Sequence, residues 1–264
     1  MRIRPLFAGR SALVAVLLAM LSSISAQAAD ILFVFGGTNP LTPGSPDDNV
    51  RLRLESLGNT VMPVFAPNSL TTDALGKNAV VISSTVTSGD VANKFANVTA
   101  GVMFWEQAIQ QQSRENLLTE AAERASDGAF TQITITPTGA SSPLAAGLAA
   151  GTYSVTTLGS AFSYGNSAGF GSGAVGVGLR GDGTGAEAAR YGIYGYATGS
   201  LRPDGTPSPG PRVMFFLSDT NFNDLTPTGL QLFDASVRYV IPEPSVGCLS
   251  GLALVGLVGR RRRP

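Results

Sequence analysis

The sequence predicts an α/β domain, a parallel sheet with helices on both faces. Three observations carry that expectation. Short apolar runs such as "ILFVFGG" (31–37) read as buried strands, because parallel strands are covered on both sides. Segments of helical periodicity alternate with them. The connections are short, and right-handed crossovers would then lay successive strands side by side.

The elements follow in order. In "SPDDNVRLRLESLGN", Ser45 suits a helix cap, Pro46 the first helical position and Asp48 the first turn. Val50, Leu54 and Leu57 share one face, and Gly58 suits the helix end. "TVMPVFA" (60–66) is a second strand, which Pro63 places near an edge or at a break. "AVVISST" (79–85) is a third. "SGDVANKFANV" sets Val91, Phe95 and Val98 at helical spacing, and "GVMFWE" (101–106) is a fourth strand. "ENLLTEAAERA" (115–125) reads as helix. "TQITITP" (131–137), "GTYSVTTL" (151–158), "RYGIYGYATGS" (190–200) and "RVMFFLSD" (212–219) read as further strands. "LTPTGLQLFDASVRYVI" (225–241) closes the domain as a helix, with Thr226 as cap, Pro227 in first position and Leu230, Phe233 and Val237 inward. No internal repeat is visible, nor a linker before Ile241.

Composition bounds the chemistry. The chain has 264 residues, no histidine and a single cysteine, Cys248. A histidine base, a histidine metal ligand and a Ser-His-Asp triad are excluded. The formal charge is zero, but seven of the 18 basic residues lie at the two ends. From 29 to 241 there are 11 basic and 17 acidic residues, a net of −6, so nothing suggests a nucleic-acid partner. No cofactor and no metal site are expected.

The start has the three parts of a secretory signal. Arg2, Arg4 and Arg10 form a positive region, 12–21 a short apolar core, and Ala26-Gln27-Ala28 a cleavage site, which makes Ala29 the expected mature N-terminus. At the other end, Pro242-Glu243-Pro244 precedes an apolar run and then Arg260, Arg261, Arg262 and Arg263. The run 246–258 would span roughly 20 Å as helix; counted from 241 to 259 it approaches the length of a membrane-spanning helix. The arginines would stay on the cytoplasmic side and stop transfer. The chain thus divides into a signal peptide (1–28), a body (29–240) and a tail (241–264).

That tail resembles the PEP-CTERM sorting signal. The resemblance implies a transmembrane sorting helix and recognition near Pro242-Glu243-Pro244 by an exosortase, a membrane-embedded cysteine protease. It further implies export through the inner membrane of a Gram-negative bacterium, transient membrane anchoring, and release to the cell surface or extracellular matrix. The prolines suit an extended substrate, since each fixes φ and disfavours helix in the residue before it. The body resembles class I glutamine-amidotransferase-like domains, including the ThuA-like group. That likeness rests on "ILFVFGG…DDNVRLRLESLGNTV…AVVISST…VMFWE…SSPLAAGL…RVMFFL…LTPTGLQLFDASVRYV". It implies a flavodoxin-like fold but not the activity, because the body lacks the nucleophilic cysteine and the histidine base. Ser142 stands where ThuA-like relatives often have histidine.

Several motifs tempt without carrying chemistry. "GNSAG" (165–169) matches a nucleophile elbow, but the chain has no histidine base and the flanks are glycine-rich. "GSGAVG" (171–176) matches a dinucleotide fingerprint, but it comes late and inside a glycine-dense stretch that reads as a surface loop. "GDGTG" (181–185) has too few oxygen ligands for calcium. No catalytic residue is assigned. Glu106, Asp219 and the Ser83–Ser84 pair fall at ends of predicted strands, where open α/β sheets bind ligands. Trp105 with Glu106 is the candidate ligand site, the ring stacking on a sugar and the carboxylate bonding to it; the alternative makes Trp105 core and Glu106 a surface or capping group. The expectation is an exported surface or matrix protein, structural, adhesive or polysaccharide-binding. The competing reading is a secreted carbohydrate-active hydrolase working through two carboxylates.

Overall fold

The computed structural model describes residues 28–219 and 221–241. The signal region and the sorting motif beyond Ile241 lie outside the described residues. Eleven strands form one mixed sheet. The first half is parallel. β1 (Asp30–Phe35) lies between β2 (Thr60–Phe65) and β3 (Ala79–Ile82), and β3 is followed across the sheet by β4 (Gly101–Phe104) and β11 (Arg212–Met214). The second half is antiparallel: β11 pairs with β10 (Arg190–Tyr196), then come β9 (Ala174–Arg180), β6 (Gln132–Ile135) and β7 (Gly151–Ser154). β8 (Ser160–Asn166) pairs with β10 and with β5 (Arg124–Phe130).

This corrects the expected flavodoxin-like parallel sheet with helices on both faces. Three α-helices are present among the described residues: α1 (Pro46–Ser56), α2 (Ser88–Val91) and α3 (Pro227–Val240). α1 and α3 cover one face of the parallel half. Val50 and Leu54 of α1 and Phe233 and Val237 of α3 pack with Ile31 and Phe33. Arg53 joins the two helices through two bonds to Asp234, at 2.9 and 2.5 Å. The other face is closed by the single turn of α2 and by irregular chain, with Phe95, Ile109 and Leu117 packed on Leu32 and Val34. No helix among the described residues is long and apolar enough to cross a membrane.

Two departures have local physical causes. The segment 115–125 does not form a helix. Its backbone is drawn into cross-chain bonds instead: Leu117 and Leu118 both donate N–H to the Gln110 carbonyl, and Thr119 donates to Gly169. Both leucines are buried, so tertiary contact overrides helical propensity. The glycine-dense stretch is not a surface loop but builds β8 and β9. A Cβ at Gly176 would meet the Tyr191 ring, and one at Gly178 would meet Ile133 and Ile193. These glycines make room for large side chains of adjacent strands.

Elsewhere local rules hold. Ser45 Oγ accepts from Asp48 N–H and Pro46 opens α1; Thr226 Oγ1 accepts from Gly229 N–H and Pro227 opens α3. β2, with Pro63, is the outermost strand of its side.

Two buried arginines organise the rest. Arg180 lies over the Tyr164 and Phe130 rings, at 4.0 and 4.5 Å, and pairs with Glu187 at 2.6 Å and with Asp127. Arg212 is 0% exposed. It donates to the carbonyls of Phe95, Ala96, Val98 and Ala100. Its Nε lies 3.7 Å from Glu115. Replacing Arg212 by leucine leaves these carbonyls and a buried carboxyl without their partner. We expect a loss of about 3–5 kcal/mol, read as a lowered urea midpoint. An unchanged midpoint would show that the carbonyls find other donors.

Candidate functional site

The carboxyl ends of the parallel strands form the polar edge of the sheet. The chain passes from β1 outward to β2, then returns to β3 on the other side of β1. The crevice between β1 and β3 is therefore the topological switch point, where open α/β sheets bind ligands. A cavity of about 200 Å³ opens there, lined by Gly36, Gly37, Thr38, Ser45, Asp47 and Thr85, among others. The turn Gly36-Gly37 leaves β1 without side chains. A Cβ at Gly36 would strike the Thr85 carbonyl, so only glycine lets β1 end this close to the chain leaving β3.

Asp47, in the first turn of α1, is buried at this edge. Its Oδ1 accepts from Ser83 Oγ at 2.5 Å and its Oδ2 from Thr85 Oγ1 at 2.6 Å. Thr85 Oγ1 in turn accepts from Gly36 N–H at 2.9 Å. Burial raises the Asp47 pKa, the two hydroxyls oppose that, and the charge of Asp219 adds to the rise. The net direction is upward.

Glu106 follows β4 and caps the turn Gln107–Gln110, accepting from Ala108 N–H at 3.1 Å. Among the described residues its other oxygen has no protein partner. Burial pushes its carboxyl up to about 7; the Ala108 bond lowers it, the Asp219 charge raises it, and Arg114 lowers it least. Asp219, exposed after β11, is the charge common to Asp47 and Glu106.

Of the residues singled out from sequence, Glu106, Asp219 and Ser83 meet at this edge. Trp105 does not join them as a stacking platform. It is 2% exposed and packs edge-on against Phe233, with ring centroids 6.2 Å apart, so no ring face is open to a sugar. Sequence reasoning passed over Asp47 and Thr85. An aspartate in a first helical turn reads as a complement to the helix dipole. The signal that could have found it is the glycine pair between the first strand and the first helix.

The three motifs set aside from sequence lie elsewhere. "GNSAG" closes β8 and enters a 3-10 turn, "GSGAVG" leads into β9 rather than a helix, and "GDGTG" turns toward β10 with Asp182 accepting from Thr184. The sorting residues Pro242, Glu243 and Pro244, the arginines Arg260 to Arg263, and Ala26 lie outside the described residues. No group of three or more Asp, Glu or Cys among the described residues is placed to hold a metal ion. At the opposite edge, a groove of about 740 Å³ runs past Thr99, Pro211, Ala235, Arg238 and Ile241. It presents one charged group and no paired chemistry.

No family model matches this chain, and no curated protein sequence matches it.

The titration of Glu106 has a signed consequence. A carboxyl with a folded pKa of about 7, against an ordinary 4.5, binds its proton more tightly when folded. The stability it contributes is fully present below about pH 4.5 and is lost as pH rises through about 7. Glu115, buried and also pushed up to about 7, acts in the same direction. Glu106→Gln is therefore expected to flatten part of the decline in stability over that window, measured by denaturant unfolding at a series of pH values. An unchanged slope would mean that Glu106 titrates normally.

Proposed function

We propose that the chain is an exported protein, sorted to the cell surface or extracellular matrix through its C-terminal tail, whose body binds an extracellular polysaccharide without transforming it. The observation that carries this is the ordered tail: Pro242-Glu243-Pro244, an apolar run, then four arginines, behind a body that follows a secretory signal. The body is compatible with such a life. β1 begins at Asp30, two residues beyond the expected cleavage after Ala28, so processing there leaves the sheet whole. α3 ends at Val240, so the proline motif follows the folded body with no linker.

The switch-point crevice supports a polar ligand. It joins glycine backbone, hydroxyls and the Asp47 carboxyl, a set that suits sugar hydroxyls as hydrogen-bond partners. With Trp105 buried, binding rests on these polar groups rather than on stacking. Exosortase and the membrane would be the partners of the tail, and the polysaccharide the partner of the body.

A specific observation favours a second reading, a carbohydrate-active hydrolase. Glu106 is held near 7 beside Asp219. Two carboxyl groups, one of them raised, are the residue types glycoside hydrolysis uses. Turnover of a polysaccharide that disappears in Glu106→Gln would select this reading over simple binding.

Mass spectrometry of the protein from its native host tests the sorting. The expected product begins at Ala29 and has lost Arg260 to Arg263, with its new end near Pro242-Glu243-Pro244. Released protein with an intact arginine terminus would overturn the proposal.

A further inference from the structure

The groove at the starting edge of the parallel strands has an occupant within reach. Its volume of about 740 Å³ is that of a ligand pocket. Gln231, Ala235 and Arg238 of α3 line it at helical spacing, and Ile241 lines it where the helix has ended. The groove thus follows one face of α3 for about 15 Å, from Gln231 to the helix end. Other parts of its wall come from Pro143, Pro209 and Pro211.

The lining is mostly apolar, with a single charged side chain, Arg238. Arg238 is exposed, and the acid one turn before it, Asp234, is taken by Arg53. Among the described residues Arg238 makes no ion pair. Such a groove suits apolar chain with one negative charge and few backbone donors, since a buried N–H without an acceptor is costly.

The chain that follows Ile241 has that composition. Pro242-Glu243-Pro244-Ser245-Val246 carries one acid and two prolines, and the prolines have no N–H. Proline-rich segments favour an extended polyproline form before they bind, so docking costs them little entropy. They settle on grooves with aromatic walls, and Tyr239 supplies one here. Five residues in that form span about 15 Å, the length of the groove. Ile241 is itself extended, with φ −88° and ψ 115°. It stands at the rim, so the segment is offered at high effective concentration. We propose that the groove seats residues 242–246 of the same chain, laid back along α3 with Glu243 beside Arg238. The body then covers its own proline motif. A protease that takes the motif as an extended substrate reaches it only when it leaves the seat. The seat rests on the groove and the segment; the protease consequence rests on the sorting reading.

Disulfide trapping in the full chain, held in detergent micelles with Cys248→Ser, tests the seat. Gln231→Cys lies at the far end of the groove, and Val246→Cys at the far end of the segment. A disulfide needs Cα atoms within about 7 Å. A tail running straight on from α3 would put these two positions about 30 Å apart. The pair is expected to close within one chain at least about tenfold faster than a control pair, Thr38→Cys with Val246→Cys. Thr38 is exposed and lines the crevice at the opposite edge. Arg238→Glu should slow closure several-fold, and adding Glu243→Arg should restore it, which damage to the fold would not allow. Gln231 and Arg238 are exposed, so their replacement leaves the core intact. Closure no faster than the control overturns the proposal. Closure between chains, as a disulfide-linked dimer, would assign the groove to the tail of a second copy and overturn it too. Failure of the charge swap to restore closure overturns the pairing of Glu243 with Arg238. A failed seat leaves the sorting reading standing, since processing at the motif does not require it.

Discussion

The fold turns on three residues of β11 and on the guanidinium at their start. β11 is the parallel neighbour of β4 and the antiparallel neighbour of β10, so it joins the two halves of the sheet. A strand this short holds little through its own ladder. Arg212 adds four carbonyls of the chain between Phe95 and Ala100. That segment closes one face where a helix would otherwise lie. A helix satisfies its carbonyls internally; irregular chain cannot, and a buried carbonyl without a donor is costly. Arg212 supplies the missing donors. Its charge is not the source of the benefit. Burial pushes Glu115 up to about 7 and Arg212 down to about 10, so for both partners the cost of leaving water outweighs their mutual attraction.

The same joint positions the crevice. With β11 locked beside β4, the chain beyond it runs through Phe215, Phe216 and Leu217, all buried, and emerges as Asp219 near Glu106 and Asp47. Phe215 packs edge-on against Phe233 of α3 and lies 4.5 Å from the Phe216 ring. Aromatic packing thus fixes the approach of an exposed carboxylate.

What could be read from the sequence follows from the range of the interactions involved. The apolar run of β1, the Ser45 and Thr226 caps and the edge proline Pro63 are set within a few residues, and local rules find them. Glu106, Asp219 and Ser83 could be placed at one edge because strand ends locate themselves once the strands are known. The segment 115–125 could not. Its leucines and alanines favour helix, but Leu117 and Leu118 are buried against partners far away in sequence. The glycines of β8 and β9 misled for a related reason. Read locally, they signal a loop; in the sheet, their missing side chains make room for Tyr191, Ile133 and Ile193. Trp105 was ambiguous because one strand end serves both core and edge, and Phe233, more than a hundred residues on, decides it. Asp47 was passed over because its neighbour Asp48 already met the local expectation of an acid in the first helical turn.

The two edges of the parallel half also stand in a defined spatial relation. α3 runs back against the parallel strands, so its last residue meets their starting ends. Gly101, first residue of β4, leaves no space for a Cβ beside the Val240 carbonyl. Ile241 borders the groove at that edge. Asp47, Glu106 and Asp219 lie at the other ends of the same strands. Six residues of β1 at about 3.3 Å each set these edges roughly 20 Å apart. The end of α3 and the crevice lined by Asp47 therefore lie at opposite edges of the parallel strands. The strands span the distance between the two edges, and the groove at one and the crevice at the other share no lining residue.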